Sequence, residues 1–245
     1  MKKTRLLLVV ALLLTATAAV AQQKANRQMV EALWQWKAGT QVDAKAIKAF
    51  GGEENCFVAE PVPDCVWLRM QGKTYKENPY IGRDDLRHVK ALHRNMDEAI
   101  LIGEMVCNKA IADDVVDILR QLYKAHYPIE RMVLPDEYDA DDEKQMRANN
   151  SSCFCYRVVA GSNTLSNHAR GMAIDINTLY NPYVKKRKDG TLYIQPETAG
   201  DYVDRAAKFP YKIEKDDLCY RLFIEHGFTW GGNWQSHKDY QHFEK

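Results

Sequence analysis

The sequence predicts an α+β fold with a mainly antiparallel sheet flanked by helices. Strand-like and helix-like segments are mixed along the 245 residues without a regular strand–helix–strand repeat, which argues against a doubly wound parallel sheet. A strongly amphipathic helix is predicted over residues 111–128, and short segments rich in apolar or aromatic residues predict strands on both sides of it. No internal repeat is visible.

The first 21 residues have the composition of a secretory signal peptide. Three basic residues precede an apolar run over residues 6–20, and small residues stand at Ala19 and Ala21, the two positions that a signal peptidase reads. An uncleaved membrane anchor is the alternative, but the run is short for a spanning helix, which needs about 20 residues. We therefore expect cleavage after Ala21, a secreted or periplasmic protein, and no stable membrane span after cleavage.

Charge and cysteine content narrow the partners and the compartment. The formal net charge is +1, and loss of the three basic residues of the leader leaves −2. Such a chain has no basic footprint, so no nucleic-acid partner is expected. Six cysteines in an exported chain predict disulfides, and Cys56 and Cys65 bracket a short proline-containing loop as the expected local pair. A zinc site built from thiolates is the rival interpretation.

Residues 22–83 predict an N-terminal helical and cysteine-containing segment ahead of the main domain. Apolar residues between Met29 and Trp36 have helical spacing, and Gly39 supplies a stop. Residues 51–83 are rich in glycine, proline and cysteine and predict an irregular segment. We place the domain boundary near residue 80, so that residues 84–245 form the main domain.

The main domain is predicted to alternate strands, helices and long polar loops. Strands are expected over residues 86–92, 99–106, 129–135, 155–161, 169–177, 228–230 and 239–243. Helices are expected over 111–128 and 216–227, and surface loops over 135–150 and 181–215, the second with the basic run KKRKDG at its tip.

One stretch, SNHARGMAID, carries polar residues suited to a metal site. Residues seven apart on a straight strand point to opposite faces, so His168 and Asp175 converge only if the chain turns between them. Gly171 can supply that turn, because glycine tolerates backbone angles that other residues avoid. A second polar cluster stands at the C-terminus, with His237, Asp239 and His242.

Histidines and carboxylates from separate segments suit catalytic zinc, which takes three protein ligands and leaves a fourth position open. Asp239, three residues before His242, is placed to act as a base for water and as an acid for a leaving amine. Spacing alone leaves ordinary hydrogen-bonded polar residues as the alternative to a metal site.

The pattern Ser-x-His-x-x-Gly-x-Ala-x-Asp at residues 166–175, followed by Asp-x-x-His at 239–242, resembles the zinc D-alanyl-D-alanine carboxypeptidase family. That family includes VanY-like carboxypeptidases and L-alanyl-D-glutamate endopeptidases. Its resemblance implies a hedgehog/DD-peptidase-like fold and action on peptidoglycan stem peptides. The likeness covers roughly residues 84–245, with further matching text in residues 103–115, 149–157, 173–183 and 228–244.

The resemblance also implies roles for single residues. His168, Asp175 and His242 are implied as ligands of Zn²⁺, and Asp239 as the catalytic base. Arg157 matches the arginine that binds the substrate carbonyl or carboxylate, where it would stabilise a developing oxyanion.

Several residues remain secondary candidates. Arg147 is a rival for the role of Arg157, and His237 is a candidate for contact with substrate or active-site water. Ser166 is interpreted as a structural hydrogen-bonding residue, because nothing is arranged to activate it as a nucleophile. Ordinary surface or packing roles are expected for the other histidines, which are His88, His93, His126 and His226.

The expected function is hydrolysis of an amide bond next to a D-amino acid in a peptidoglycan stem peptide. Either the D-Ala–D-Ala bond or the L-Ala–D-Glu bond fits the family, and one sequence does not choose between them. A zinc-stabilised module that binds cell-wall peptides without cleaving them is the alternative function. The presence of both Asp239 and Arg157 favours the enzyme.

Overall fold

The computed structural model describes residues 21–159 and 163–245. Apart from Ala21, the predicted signal peptide lies outside the described residues, so the prediction of export is not tested. Within the described ranges, no helix combines the length and the apolar character needed to cross a membrane.

Short helices are distributed along the whole described chain. The α-helices are α1 over residues 21–34, α2 (Ala44–Phe50), α3 (Asp64–Met70), α4 (Ala112–Lys124), α5 (Asp142–Arg147) and α6 (Leu218–Glu225). Short stretches of 3₁₀ helix lie between and after them, at Glu53–Cys56, Arg83–Asp85, Pro135–Tyr138, His168–Arg170, Glu197–Tyr202 and Gly231–Asn233.

Strands follow the same dispersed pattern. They are β1 (Gln41–Val42), β2 (Val58–Pro61), β3 (Leu86–Arg94), β4 (Ile100–Asn108), β5 (Ala173–Asp175), β6 (Tyr183–Lys186), β7 (Leu192–Gln195), β8 (Thr229–Trp230), β9 (Lys238–Asp239) and β10 (His242–Glu244). Three sheets result, with strand orders β1-β4-β3-β2, β5-β10-β8 and β7-β6-β9. Every pair of neighbouring strands in them is antiparallel, so the predicted α+β class with antiparallel sheets is confirmed.

The core forms where α4 packs against the long hairpin of β3 and β4. Apolar residues of α4 recur at helical spacing and bury Val115, Ile118, Leu119 and Leu122 against this hairpin and α6. Two acidic residues in its first turn and Lys124 in its last turn complement the helix dipole. The predictions for α4, β3, β4 and α6 are therefore confirmed to within a few residues at each end.

The N-terminal segment shares its two clusters of buried residues with later parts of the chain instead of forming a core of its own. β2 pairs with β3 and β1 pairs with β4, and Leu33, Ile47 and Phe57 lie in the same cluster of buried residues as Phe243. The predicted boundary near residue 80 therefore does not separate two cores. As a limit of the family domain it stays a prediction.

Residues 51–83 are more ordered than predicted. They contain β2 and α3. β2 forms because it pairs with β3, and composition does not reveal such a pairing between distant segments. The expected Cys56–Cys65 disulfide is wrong, since all six cysteines are free thiols in the structure. Cys56 is buried beneath the sheet, whereas Cys65 is exposed on α3.

Both predicted long loops contain regular structure. In residues 135–150, Pro135 opens a 3₁₀ turn and the Asp141 side chain caps α5 by accepting the Lys144 N–H. The prediction of a loop over residues 135–150 did not include this N-terminal helix cap. Residues 181–215 include the β6–β7 hairpin, with the basic run forming its tip, and a 3₁₀ helix at Glu197–Tyr202.

Two predicted strands are absent. Residues 129–135 are largely buried, as expected, but they form only isolated bridges and backbone hydrogen bonds to neighbouring segments. Residues 155–159 likewise form a single bridge, from Val158 to Leu165, and residues 160–161 lie outside the described part. The predicted strand over 169–177 is shortened to β5, because a 3₁₀ turn occupies its start.

Candidate metal centre

A tight turn positions the first histidine of the site. His168 begins the 3₁₀ turn that ends at Gly171, whose φ of 67° is the left-handed conformation. A Cβ at Gly171 would lie 2.6 Å from the backbone nitrogen of Asn108 on β4. Glycine is therefore required twice, for the backbone angle and for the close approach of the two chains. The predicted turn at Gly171 is present.

Strand pairing brings in the other two side chains. β5 and β10 are antiparallel neighbours, and their register places His242 directly opposite Asp175. Directly opposed residues on one sheet face have Cβ atoms only about 5 Å apart, so the pairing itself juxtaposes imidazole and carboxylate. The pairing of β5 with β10 thus brings His242 close to His168, although the two residues are 74 positions apart in the sequence.

The three side chains converge on one point. His168 Nε2 lies 3.2 Å from Asp175 Oδ2 and 3.2 Å from His242 Nδ1, and His242 Nδ1 lies 3.1 Å from Asp175 Oδ1. One potential ligand atom from each residue lies within 4.8 Å of the other two. All three side chains are largely shielded from solvent, with exposures of 7%, 14% and 9% for His168, Asp175 and His242.

Partners behind the histidines determine which ring nitrogens face the centre. His168 Nδ1 lies 2.7 Å from the Cys153 carbonyl oxygen, and His242 Nε2 lies 3.0 Å from Glu244 Oε2. A carbonyl and a carboxylate only accept hydrogen bonds, so these outer nitrogens carry the hydrogens. His168 Nε2 and His242 Nδ1 then present lone pairs to each other and to a carboxylate.

Such a group needs a cation between its members, and this donor set fits a metal ion. Two imidazole nitrogens and one carboxylate oxygen, with outer partners that orient both rings, suit zinc. In the metal-free chain a proton takes that place. Burial opposes the charged form, but the hydrogen bonds to Asp175 and Glu244 raise the pKa of His242 to about 10. Despite its own burial, Asp175 has its pKa held far below the usual range by the two histidines.

Asp239 lies beside this group as a carboxylate with an unused oxygen. It stands on β9, and Gly231 packs so closely that a Cβ there would lie 2.6 Å from the Asp239 carbonyl oxygen and 3.3 Å from the His242 Cβ. Its Oδ1 is buried and has no hydrogen-bond partner. Burial raises the pKa of Asp239 to about 6, with the charge of Asp175 adding to the rise and that of His242 opposing it.

The two arginine candidates occupy different surroundings. Arg157 is half-buried, with Nε 2.6 Å from Asp142 Oδ2. Burial lowers the pKa of Arg157, but Asp142 and, more weakly, Asp175 raise it overall. Its guanidinium therefore lies within the field of the site. Arg147 is exposed at the end of α5 and pairs there with Glu143 and Glu197.

His237 and Ser166 are each linked to one of the two site histidines by side-chain contacts. The Trp234 ring lies 4.9 Å from the His237 ring and 5.3 Å from the His242 ring, measured between centroids. Burial lowers the pKa of His237. Ser166 Oγ accepts the backbone N–H of His168, so it supports the turn that carries this histidine.

Two supporting residues escaped the sequence analysis. Glu244 holds His242, and Asn167 Nδ2 in turn donates to Glu244 Oε2 over 2.7 Å. A signal for Glu244 was present, because residues two apart on a strand point to the same face. The contact of Asn167 with Glu244 joins residues 77 positions apart and has no local signature.

Comparison with known proteins bears on this part of the chain. Residues 160–245 match the family model described as D-alanyl-D-alanine carboxypeptidase. The C-terminal part of the chain is therefore similar to this family. The resemblance noted in the sequence is thus confirmed for a segment that includes the three converging residues and Asp239, and this segment is of a peptidase type.

The match begins just after Arg157 and leaves the N-terminal sheet outside it. The wider likeness expected from residue 84 onward stays a prediction. No curated protein and no solved structure matches the chain.

Proposed function

We propose that this chain is an exported zinc metallopeptidase that hydrolyses a peptide bond next to a D-amino acid in peptidoglycan stem peptides. The observation that carries the proposal is the buried, unpartnered Oδ1 of Asp239 beside the convergent His168, Asp175 and His242. An unsatisfied buried carboxylate oxygen costs stability, and such groups concentrate at functional sites.

His168 Nε2, His242 Nδ1 and an oxygen of Asp175 would hold the zinc ion. When bound, zinc supplies Lewis acidity that activates water and polarises a substrate carbonyl at neutral pH. Cys153, through its carbonyl, and Glu244 keep the two rings in the tautomers that bind a cation.

Asp239 transfers a proton from the attacking water to the leaving amine. Its Oδ1 takes a proton from the attacking water and returns it to the amine nitrogen that leaves when the peptide bond breaks. A pKa of about 6 is suited to both steps, because the group is ionised at neutral pH and still returns a proton readily. Burial, which raises this pKa, therefore contributes directly to the chemistry.

Arg157 stabilises negative charge on the substrate. The fixed positive charge of a half-buried guanidinium is effective against a developing oxyanion, because the surroundings screen it little. Its pairing with Asp142 holds the side chain near the site before substrate arrives. Asp142 thus positions Arg157 and does not itself touch the substrate in this proposal.

The family match supports a D-alanyl-D-alanine type of bond, and the leader-like residues 1–21 support export to the compartment that holds peptidoglycan. The bond is either D-Ala–D-Ala at the end of the stem or L-Ala–D-Glu near its start. Each would give a different product mass.

Digestion of purified muropeptides by the mature chain, with and without a chelator, tests the proposal. Mass spectrometry of the products should show loss of one alanine or release of the stem after L-Ala, abolished by the chelator and restored by zinc. Intact muropeptides in the presence of a zinc-loaded protein would reject the enzyme and favour the non-cleaving binding module.

A further inference from the structure

A second cleft lies among the N-terminal elements, outside the segment matched to the peptidase family. It has a volume of about 890 Å³ and contains none of the metal-centre residues. That size falls within the range of small-molecule binding pockets. Its walls are formed by the end of α1 with residues 35–40, one face of α3, the adjoining face of β2, β3 and β4, and residues 131–138.

The floor of this cleft is a buried polar network. His88 Nε2 lies 2.8 Å from Glu104 Oε2, and Arg69 Nη2 donates to Glu104 Oε1 over 2.8 Å. The side chains of His88 and Glu104 are each only 2% exposed. Although burial opposes ionisation, these two hydrogen bonds lower the pKa of Glu104. The floor is therefore charged, rigid and held by its own contacts.

Each carboxylate that lines the cleft is matched by a cation. Glu60 pairs with Lys90 over 2.7 Å, and Glu137 pairs with Arg69 over 3.0 Å. With Lys37 and Arg131 included, the lining carries four cationic side chains and three carboxylates, so it offers both donors and acceptors with little net charge. One floor atom remains unsatisfied, because His88 Nδ1 is buried without a hydrogen-bond partner and lies 3.6 Å from the nearest Glu60 oxygen.

An exposed aromatic ring stands at the edge of the cleft. The Trp34 side chain is 69% exposed and is supported by the edge of Phe50, with ring centroids 4.9 Å apart. Beneath it, Trp36 is buried, and its indole N–H donates to the Gly103 carbonyl. A large indole that packs against Phe50 is thus open to solvent in the lining of the cleft.

This chemistry excludes two classes of ligand. An apolar ligand would cover the Glu60, Glu104 and Arg69 groups without replacing the water around them, at a cost of roughly 1–3 kcal/mol for each group left unsatisfied. A strongly anionic ligand would meet three carboxylates, and because Arg69 and Lys90 are already engaged by them, only Lys37 and Arg131 are left to offset the repulsion.

We propose that this cleft binds a neutral oligosaccharide, with a sugar ring stacked on Trp34 and hydroxyl groups bound by the Glu60, Glu104 and Arg69 network. A hydroxyl both donates and accepts, so it suits a lining that offers both donors and acceptors. The apolar face of a sugar ring suits a flat indole. Among neutral saccharides, the glycan strand that carries the stem peptides is the natural occupant, an identification that rests on the proposed function.

A single strand links the two sites. Glu104 and Asn108 both lie on β4, and Asn108 donates its backbone N–H to the Gly171 carbonyl beside the metal centre. The two positions are about 13 Å apart along the strand, at about 3.3 Å per residue. A glycan in the cleft and a peptide at the metal centre would therefore meet the same rigid element.

Titration of the mature chain with tri-N-acetylchitotriose, followed by calorimetry and by tryptophan fluorescence, tests this proposal. Wild-type protein should show saturable binding, and Trp34→Ala should weaken it by about 5- to 150-fold, the equivalent of the roughly 1–3 kcal/mol that stacking on an aromatic side chain contributes for nucleic-acid bases. Tyr80→Ala is the matched control, because Tyr80 is 70% exposed and does not line the cleft. It should bind as the wild type does.

Glu104→Gln provides an independent variant from the floor and should also weaken binding. Absence of saturable binding up to about 10 mM, equal affinities for Trp34→Ala and wild type, or preference for a sulfated oligosaccharide would each overturn the proposal. The probe contains no D-amino acid, so its binding is read separately from muropeptide cleavage. Cleavage of a soluble stem peptide should be unchanged in Trp34→Ala.

Discussion

Two buried histidine–carboxylate clusters in this molecule balance their charge in different ways. In the N-terminal cleft, Glu104 lies between His88 and the guanidinium of Arg69, so a side-chain cation is part of the cluster. At the C-terminal centre, His168 and His242 turn lone pairs toward each other and toward Asp175. No arginine or lysine is hydrogen-bonded to those three side chains in the described part of the chain.

This contrast separates a structural network from a metal site when both contain the same residue types. The decisive features are the outer hydrogen bonds, which fix the tautomers, and the presence or absence of a paired cation. The N-terminal cluster is complete as it stands, apart from His88 Nδ1. The C-terminal cluster is complete only with a proton or a metal ion between its members.

Removing one histidine from each cluster should give the largest difference. His168→Ala is expected to reduce bound zinc from about one per chain to a small fraction, because a catalytic zinc site has only three protein ligands. The His88→Ala variant should keep the zinc ion at the C-terminal centre. Metal content by atomic emission, on variants whose circular dichroism matches the wild type, checks this. Equal zinc in both variants would remove the distinction between the clusters.

Neutralising the proposed base should affect turnover and leave the metal in place. Asp239→Asn is expected to lower kcat by about 10²–10⁴, the usual contribution of a positioned acid–base group, while zinc content stays unchanged. Asp136→Asn is the matched control, since burial also raises the pKa of Asp136, which accepts a hydrogen bond from the Thr74 hydroxyl and contacts none of the three metal-centre residues. Full activity in Asp239→Asn would exclude its role as the base.

Weakening the support behind His242 should have a smaller effect. Glu244→Gln is expected to lower zinc affinity by about 10–100-fold, as loss of an outer partner of a ligand histidine usually does. Glu98→Gln is the control, because Glu98 also contacts a histidine, with 2.7 Å between His126 Nδ1 and its Oε2, but at an exposed position. Competition with a chromophoric chelator gives both affinities. An unchanged value for Glu244→Gln would show that Glu244 does not orient the ring.

The smallest expected effect is a pH dependence of zinc affinity. Folding raises the pKa of His242 from 6.5 to about 10, so the metal-free site holds a proton that zinc must displace. Zinc affinity should therefore rise with pH above 6.5, by up to about tenfold per pH unit for one released proton. Calorimetry between pH 6.5 and 8 in buffers of different ionisation enthalpy counts the protons. Release of none would contradict the lone-pair geometry.

The same shift in the pKa of His242 makes the stability of the metal-free protein depend on pH. A raised histidine pKa contributes stability that is fully present below pH 6.5 and is lost as the pH rises toward 10. Chelated protein should thus melt at lower temperature as the pH rises through this window, whereas zinc-loaded protein should change less. Parallel melting curves for the two forms would count against a shared position for proton and metal.

The elements with strong local signals were predictable from sequence. α4 follows from its apolar spacing, and the turn at Gly171 follows from the need to bring His168 and Asp175 together. The convergence of His168, Asp175 and His242 could be predicted only from resemblance to a known family. The register of β10 against β5, which brings them together, joins segments that are distant along the chain. Sequence spacing alone could not distinguish this pairing from ordinary polar contacts.

What remained hidden from the sequence depends on pairing partners. β2 was missed because β3 completes it, and α5 was missed because its Asp141 cap lies in an otherwise acidic loop. The N-terminal cleft was also invisible, since Trp34, Glu104 and Arg69 come from three separate elements. The sequence predicts an ordinary packing role for His88, whereas the folded chain places it on the floor of the cleft.

Binding of zinc by His168, Asp175 and His242 can be observed by anomalous X-ray scattering at the zinc edge from crystals of the mature chain. One strong peak is expected about 2.0–2.2 Å from His168 Nε2, His242 Nδ1 and an Asp175 oxygen. A peak at any other set of residues, or none in zinc-soaked crystals, would contradict it.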